Sequence, residues 1–325
     1  MVMAFIVPFE LFLLSYAVLG PLHYLTEINW LNNNNFYLKR KRDVWVLIVL
    51  AILISAPAIA SLVSLFFQPE NQSLFVYILK LIKGQFGTIL FVILVIAIAF
   101  VYRPSLVRVL VLVFTAGVLM YFFRDTKMYY ILFTILLPTI IHVYLFTLLF
   151  VAYGAIKTRS VLVKIEVIAL AIVPLLIALI PVSTNTYILS VETLTILKES
   201  KLGDINNSVG QILGDANKDM NEFILSGTGI RIQIFIAFAY TYHYLNWFSK
   251  VKLIGWLNDT SLKNQVSLVI IWTFSLTLYY YDYRLGLTAL TFLSMLHVIL
   301  EFPLNIVSIR GVIGFVSNKL RLQSR

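Results

Sequence analysis

His23, His142, His243 and His297 are all the histidines of this chain, and each lies inside or at the end of an apolar stretch long enough to cross a bilayer. Imidazole ligates Fe, Cu, Zn and haem iron, so histidines on separate helices in a lipid setting are candidate ligands of one metal centre. A histidine ring hydrogen-bonded to a neighbouring helix is the plainer alternative for any one of them. Glu27 follows His23 by four residues and Glu301 follows His297 by four. At that spacing a carboxylate lies on its histidine's face and can accept from the ring nitrogen turned away from a metal. Otherwise the two acids lie near the headgroups and pair with basic loops. Tyr240, Asn246 and Trp247 fall on or beside the His243 face and are candidates to line a pocket. For aromatics the competing role is an interfacial belt, which accounts for Tyr279, Tyr280, Tyr281 and Tyr283. Cysteine is absent, which excludes disulfides, thiolate haem, iron–sulfur clusters and dithiol relays.

The elements that must position these residues are helices in a membrane. The chain of 325 residues is 60% apolar and 12% charged, with mean hydropathy +0.92, outside the range of soluble globular proteins. Its apolar runs are too long and too continuous for barrel strands. The fold class is therefore all-α, a polytopic transmembrane helical bundle forming a single domain over 1–325. The predicted helices span about 4–27, 44–67, 85–102, 105–123, 129–153, 161–182, 229–250, 265–283 and 285–306. The first run lacks a basic start and a cleavage site and is expected to be retained. Leu74 to Lys83, with Lys80 and Lys83 among apolar residues, is predicted to lie along the interface or to extend the third helix.

Orientation follows from lysine and arginine in the connections. With the N-terminus outside and the C-terminus inside, the inner side receives Lys39, Arg40, Lys41, Arg42, Arg103, Arg108, Lys157, Arg159, Lys164, Lys250, Lys252, Lys263, Arg310, Lys319, Arg321 and Arg325, which is 16 of the 25 basic residues. The net charge of +10 then reflects topology and anionic membrane lipids, without nucleic acid. The expected location is a multi-pass protein of the bacterial inner membrane, and a homo-oligomer is compatible with it. The acidic segment 183–229 is expected to be an extracytoplasmic helical cap, two amphipathic helices broken at Gly203-Asp204. It either gates access and binds a partner or is simply a solvated hairpin. All four histidines fall on outside-to-inside helices, about 6 to 16 Å from the inner ends, close enough for tilt to bring them to one level.

Four helix-borne histidines in an all-helical membrane protein resemble the bacteriorhodopsin-related Brp/Blh family, the integral-membrane β-carotene dioxygenases. Gly20-Pro21-Leu22-His23 with Glu27 is similar to that family's early Pro-His with a nearby acid, and Tyr240 to Trp247 to its aromatic, histidine-bearing late helix. The family has two histidines one turn apart on that helix, whereas here Trp247 stands one turn after His243 and His297 would substitute. The resemblance implies a non-haem iron oxygenase in which His23, His142, His243 and His297 hold Fe(II), with O2 and a lipophilic substrate such as a carotenoid or other isoprenoid. Two alternatives stay open. A pair of the histidines could be axial ligands of haem b in an electron-transfer or quinone-handling protein. Or the chain is a transporter or channel using histidines as proton relay, with Pro57, Pro138 and Pro174 breaking helices and Glu10 and Glu166 carrying protons.

Overall fold

Uninterrupted runs of Leu, Ile, Val and Phe leave the backbone to satisfy its own polar groups, which a helix does within one segment. The computed structural model describes residues 1–64, 74–103, 105–123, 126–187, 189–215, 220–249 and 262–323, and every regular element among them is helical. After one short turn at Val2–Ile6, the chain forms α1 (Pro8–Asn33), α2 (Lys41–Val63), α3 (Leu74–Gly84), α4 (Phe86–Tyr102), α5 (Leu106–Phe123), α6 (Lys127–Thr158) and α7 (Val161–Leu179). Three short helices follow, α8 (Val191–Glu199), α9 (Gly203–Ile212) and α10 (Met220–Ile224). The chain then closes with α11 (Gly227–Ser249), α12 (Leu262–Tyr281) and α13 (Tyr283–Gln323).

Six of these, α1, α2, α5, α6, α7 and α13, are long and apolar enough to cross a membrane. The pair α3 and α4 passes only as a span bent by 70°, so Leu74 to Lys83 is not a straight extension of the helix after it. Outer faces are apolar: Phe114 and Phe122 of α5 are each 74% exposed, a surface that water would not tolerate over a whole helix but lipid does. The predicted second-helix end near 67 and the loop carrying Lys252 lie outside the described residues. The last helix does not stop near 306 as predicted. It continues to Gln323 as 41 residues, about 60 Å at the usual rise, because nothing after Pro303 breaks it.

The centre is built by α1, α6, α11 and α13, the four histidine-bearing helices. Helix α11 packs against α1, α6 and α9, and α13 packs against α1, α2, α4 and α6. Two apolar clusters result. One joins Phe9 and Phe12 of α1 to Leu202, just before α9, Ile205 of α9 and Ile230 to Tyr244 of α11. The other joins Trp30 and Leu31 to Leu47 and Ala51 of α2, Leu90 of α4 and Val298 to Ile306 of α13. The histidines occupy the seam: His243 lies between Tyr240 of the first cluster and Trp247 of the second, and His142 between Ile141, packed on the second, and Val143 of the first.

Two histidine helices are wound wide where proline removes a backbone donor. In α1 the residues Ser15–Leu19 form a π-helical segment just before Gly20-Pro21. In α6 the π-helical winding runs from Tyr130 to Phe146 around Pro138, and Thr139 Oγ1 donates to the Ile135 carbonyl at 2.5 Å. Such segments re-aim side chains and recur at functional sites.

Within 183–229 the expected break beside Gly203-Asp204 falls just before it, and the helix that follows packs on the bundle instead of standing in solvent. Residues 200–202 interrupt it, and α9 begins at Gly203. Helix α9 buries Ile205, Asn206 and Ser208 against the bundle. Asn206 Nδ2 donates to the Gly229 carbonyl at 2.9 Å and to Gln233 Oε1 at 3.2 Å. A side chain at Gly229 would collide with the Phe223 carbonyl, so glycine lets α10 fold tightly onto α11.

Candidate metal centre

The four histidines, distant in sequence, meet in one place. Ring centroids are 4.5 Å apart for His23 and His243, 5.4 Å for His23 and His297, 5.2 Å for His142 and His243, and 5.0 Å for His142 and His297. None is more than 5% exposed. His23, His243 and His297 each offer a nitrogen, and these lie within 4.8 Å of one another. His142 stands outside that trio but touches it, with its Nε2 3.1 Å from His297 Nε2. Two nitrogens each about 2.1 Å from one ion, at a right to tetrahedral angle, lie about 3.0–3.4 Å apart, so this spacing suits two ligands of one metal.

Each imidazole has a second nitrogen, and each second nitrogen has an oxygen beside it. His23 Nε2 is 3.0 Å from Glu27 Oε2. His142 Nδ1 is 3.1 Å from Glu301 Oε2. His243 Nδ1 is 2.7 Å from Thr147 Oγ1, and His297 Nδ1 is 2.5 Å from the Ser294 carbonyl. The two carboxylate contacts have the distance of a hydrogen bond but lack its alignment; the proximity is the firmer fact, since a small ring rotation restores the angle. What remains is one nitrogen per ring, with His23 Nδ1 and His243 Nε2 buried and unpartnered. His142 Nε2 and His297 Nε2 lie within hydrogen-bond distance of each other; a buried polar atom without a partner costs free energy, and a shared cation would relieve it for His23 and His243. These residues fit a metal ion.

Glu27 is where the spacing puts it, one turn after His23. Glu301 differs from expectation: it serves His142 on α6, because the Ser294 carbonyl already occupies Nδ1 of His297 within its own helix. Among the described residues neither acid pairs with a basic side chain, and both are buried, at 2% and 7% exposure. Both face a small chamber of about 20 Å3 that is also lined by Asn246 and Trp247. Trp247 meets His23 edge-on at 5.7 Å and donates from Nε1 to Thr26 Oγ1 at 2.9 Å. Tyr240 lies on the other side, in a cavity of about 130 Å3 lined also by His142, His243 and His297.

No protein-family model matches the sequence, and no curated protein or solved structure is detectably similar to it.

Sequence reasoning missed Thr147, Ser294 and Tyr24. Tyr24 stacks on His297 at 4.4 Å and 22°. Ser294, three residues before His297, was within reach of a helical-spacing argument. Thr147 touches a histidine on another helix, and no local pattern announces that. Of the proposed proton carriers, Glu10 is exposed on the outer face of α1, while Glu166 Oε1 accepts from Tyr242 at 2.5 Å.

Proposed function

We propose that the chain is a membrane-embedded non-haem iron oxygenase in which His23, His142, His243 and His297 hold Fe(II) and the bundle admits a lipophilic substrate such as a carotenoid or other isoprenoid. One observation carries the proposal: His23, His243 and His297 offer nitrogens within 4.8 Å of one another, His142 Nε2 stands 3.1 Å from His297 Nε2, and an oxygen stands beside the other nitrogen of each ring. That is how proteins set the tautomer and aim of metal-binding histidines. Imidazole-only sites without thiolate suit iron, copper or zinc. Burial among apolar helices favours iron and O2 acting on a hydrocarbon skeleton over hydrolysis of a soluble molecule, and the resemblance to the β-carotene dioxygenases points the same way. When bound, iron would supply the O2 chemistry. The chain's own residues would orient the ligands through Glu27, Glu301, Thr147 and Ser294 and keep water out.

The same proposal includes nine crossings, with α11 and α12 counted as spans and α3 and α4 as one. Helix α11 is less apolar than the others because it carries Gln233, Thr241, His243 and Asn246. A central helix surrounded by protein can hold such residues inside a membrane. The N-terminus outside, the cap on that side and a bacterial inner membrane complete the picture, on the charge distribution.

The direct test is incubation of iron-loaded protein with an isoprenoid polyene under 18O2. Label in a cleaved or oxygenated product supports the proposal; unchanged substrate across polyenes, with iron bound, counts against it.

A further inference from the structure

The cavity beside the histidines has more hydroxyls than a hydrocarbon needs. Tyr16, Tyr24, Tyr240, Tyr244 and Ser294 line it together with three of the rings. The Tyr24 and Tyr244 hydroxyls converge over Gly20, where an added Cβ would stand 3.0 and 3.3 Å from them. Tyr16 and Tyr24 both approach the Ser294 side chain, and Tyr24 approaches Tyr244. Two half-buried tyrosines nearby are tied to the main chain: Tyr144 donates to the Leu170 carbonyl at 2.5 Å and Tyr283 to the Leu13 carbonyl at 3.1 Å. The side-chain hydroxyls of Tyr16, Tyr24, Tyr244 and Ser294 instead approach one another along the wall of the cavity. Tyrosine in membrane proteins collects at the interface, where its hydroxyl meets water. Each hydroxyl can both donate and accept, so a cluster at the depth of the metal ligands keeps hydrogen-bonding capacity for a polar group in the cavity it lines.

We propose that this cavity receives the oxygen-bearing end of a lipophilic substrate, a hydroxyl or carbonyl on an isoprenoid chain, which the hydroxyl cluster fixes so that neighbouring carbons lie against the histidines. The proposal rests on the metal-centre reading for its chemistry but not for its binding. Its size agrees: about 130 Å3 is close to the cavity of about 150 Å3 that takes a benzene, room for one end of a chain and not for a whole polyene. Leu202, just before α9, and Ile205 of α9 form part of the wall, so the segment 183–229 also shapes the site. Sites built to hydrogen-bond a substrate oxygen reject the analogue lacking it far more strongly than apolar pockets reject an added hydroxyl.

The test compares equilibrium binding of farnesol and of its hydrocarbon counterpart farnesene to the full-length protein in detergent, followed by intrinsic fluorescence, with metal content measured on the same samples. Farnesol should bind at least about ten-fold more tightly. Tyr24→Phe and Ser294→Ala should each remove most of that preference while farnesene affinity stays unchanged, which also shows that the variants fold. Tyr16→Phe is the second variant should Tyr24→Phe lose farnesene binding. Equal affinities in the unsubstituted protein, or a preference that these substitutions leave intact, would overturn the proposal. A farnesol preference in protein that binds no metal upholds the proposal and removes the oxygenase reading; bound metal without the preference does the reverse.

Discussion

Glu301 stands one turn from His297 yet lies 3.1 Å from His142 across the bundle, so its loss should be felt as a loosened His142. Removing a carboxylate that orients a metal-binding histidine weakens metal affinity by about 10- to 100-fold. Glu301→Gln and Glu27→Gln should each fall in that range in a competition titration with a metallochromic chelator. His142→Ala and Glu301→Gln together should cost little more than His142→Ala alone, because the second change then acts on an absent ring. Fully additive losses would place Glu301 outside this pairing. Thr147→Val should act in the same direction through His243. At this scale the sequence was informative where partners share a helix turn, as His23 and Glu27 do. It was silent on Thr147 with His243 and on Tyr24 with His297, because contacts between helices depend on rotation about each axis, which a single chain of letters does not encode. For Glu301 the spacing argument chose the wrong partner, since it could not weigh the Ser294 carbonyl against a ring on α6.

The helices that position the rings differ from regular α-helices where proline removes a donor. Pro138 stands one turn before His142, in the widened stretch of α6, so Pro138→Ala should let that stretch tighten and turn His142 away from His297. The expected result is lower metal affinity with unchanged or higher thermal stability; equal affinity would show that the winding does not aim the ring. Helix α9 depends on Asn206, whose amide meets both Gly229 and Gln233. Asn206→Ala should cost about 1–3 kcal/mol by leaving buried partners unmet, read as a lower unfolding midpoint and faster proteolysis near residues 213–215. Proteolysis at the unsubstituted rate would mean that α9 is held by its apolar contacts alone. Most of the long helices were legible from apolar runs. The inward packing of 183–229 was not, because its acidic residues mask the buried strip of Leu202, Ile205, Asn206 and Ser208.

For the whole molecule, the basic residues argue that the segment 183–229 and the C-terminal end of α13 face opposite sides of the membrane. Val191 and Leu320 are 82% and 61% exposed, and the chain has no cysteine of its own. Val191→Cys and Leu320→Cys should therefore label from opposite sides with an impermeant thiol reagent, and labelling from one side would undo the orientation. Composition made the bundle evident, but the number of crossings turns on α11, whose polar residues are explained only by the neighbours that bury it. The central claim is that four helices are tied at one point by a single ion. Its most direct measurement is the metal content and absorption spectrum of detergent-purified protein, for the unsubstituted chain and for each of His23→Ala, His142→Ala, His243→Ala and His297→Ala. The account predicts about one iron per chain without a Soret band, and loss of most of it in every variant while the helices stay in the membrane. A Soret band, no metal in any preparation, or full metal retained by His142→Ala and His297→Ala would contradict it.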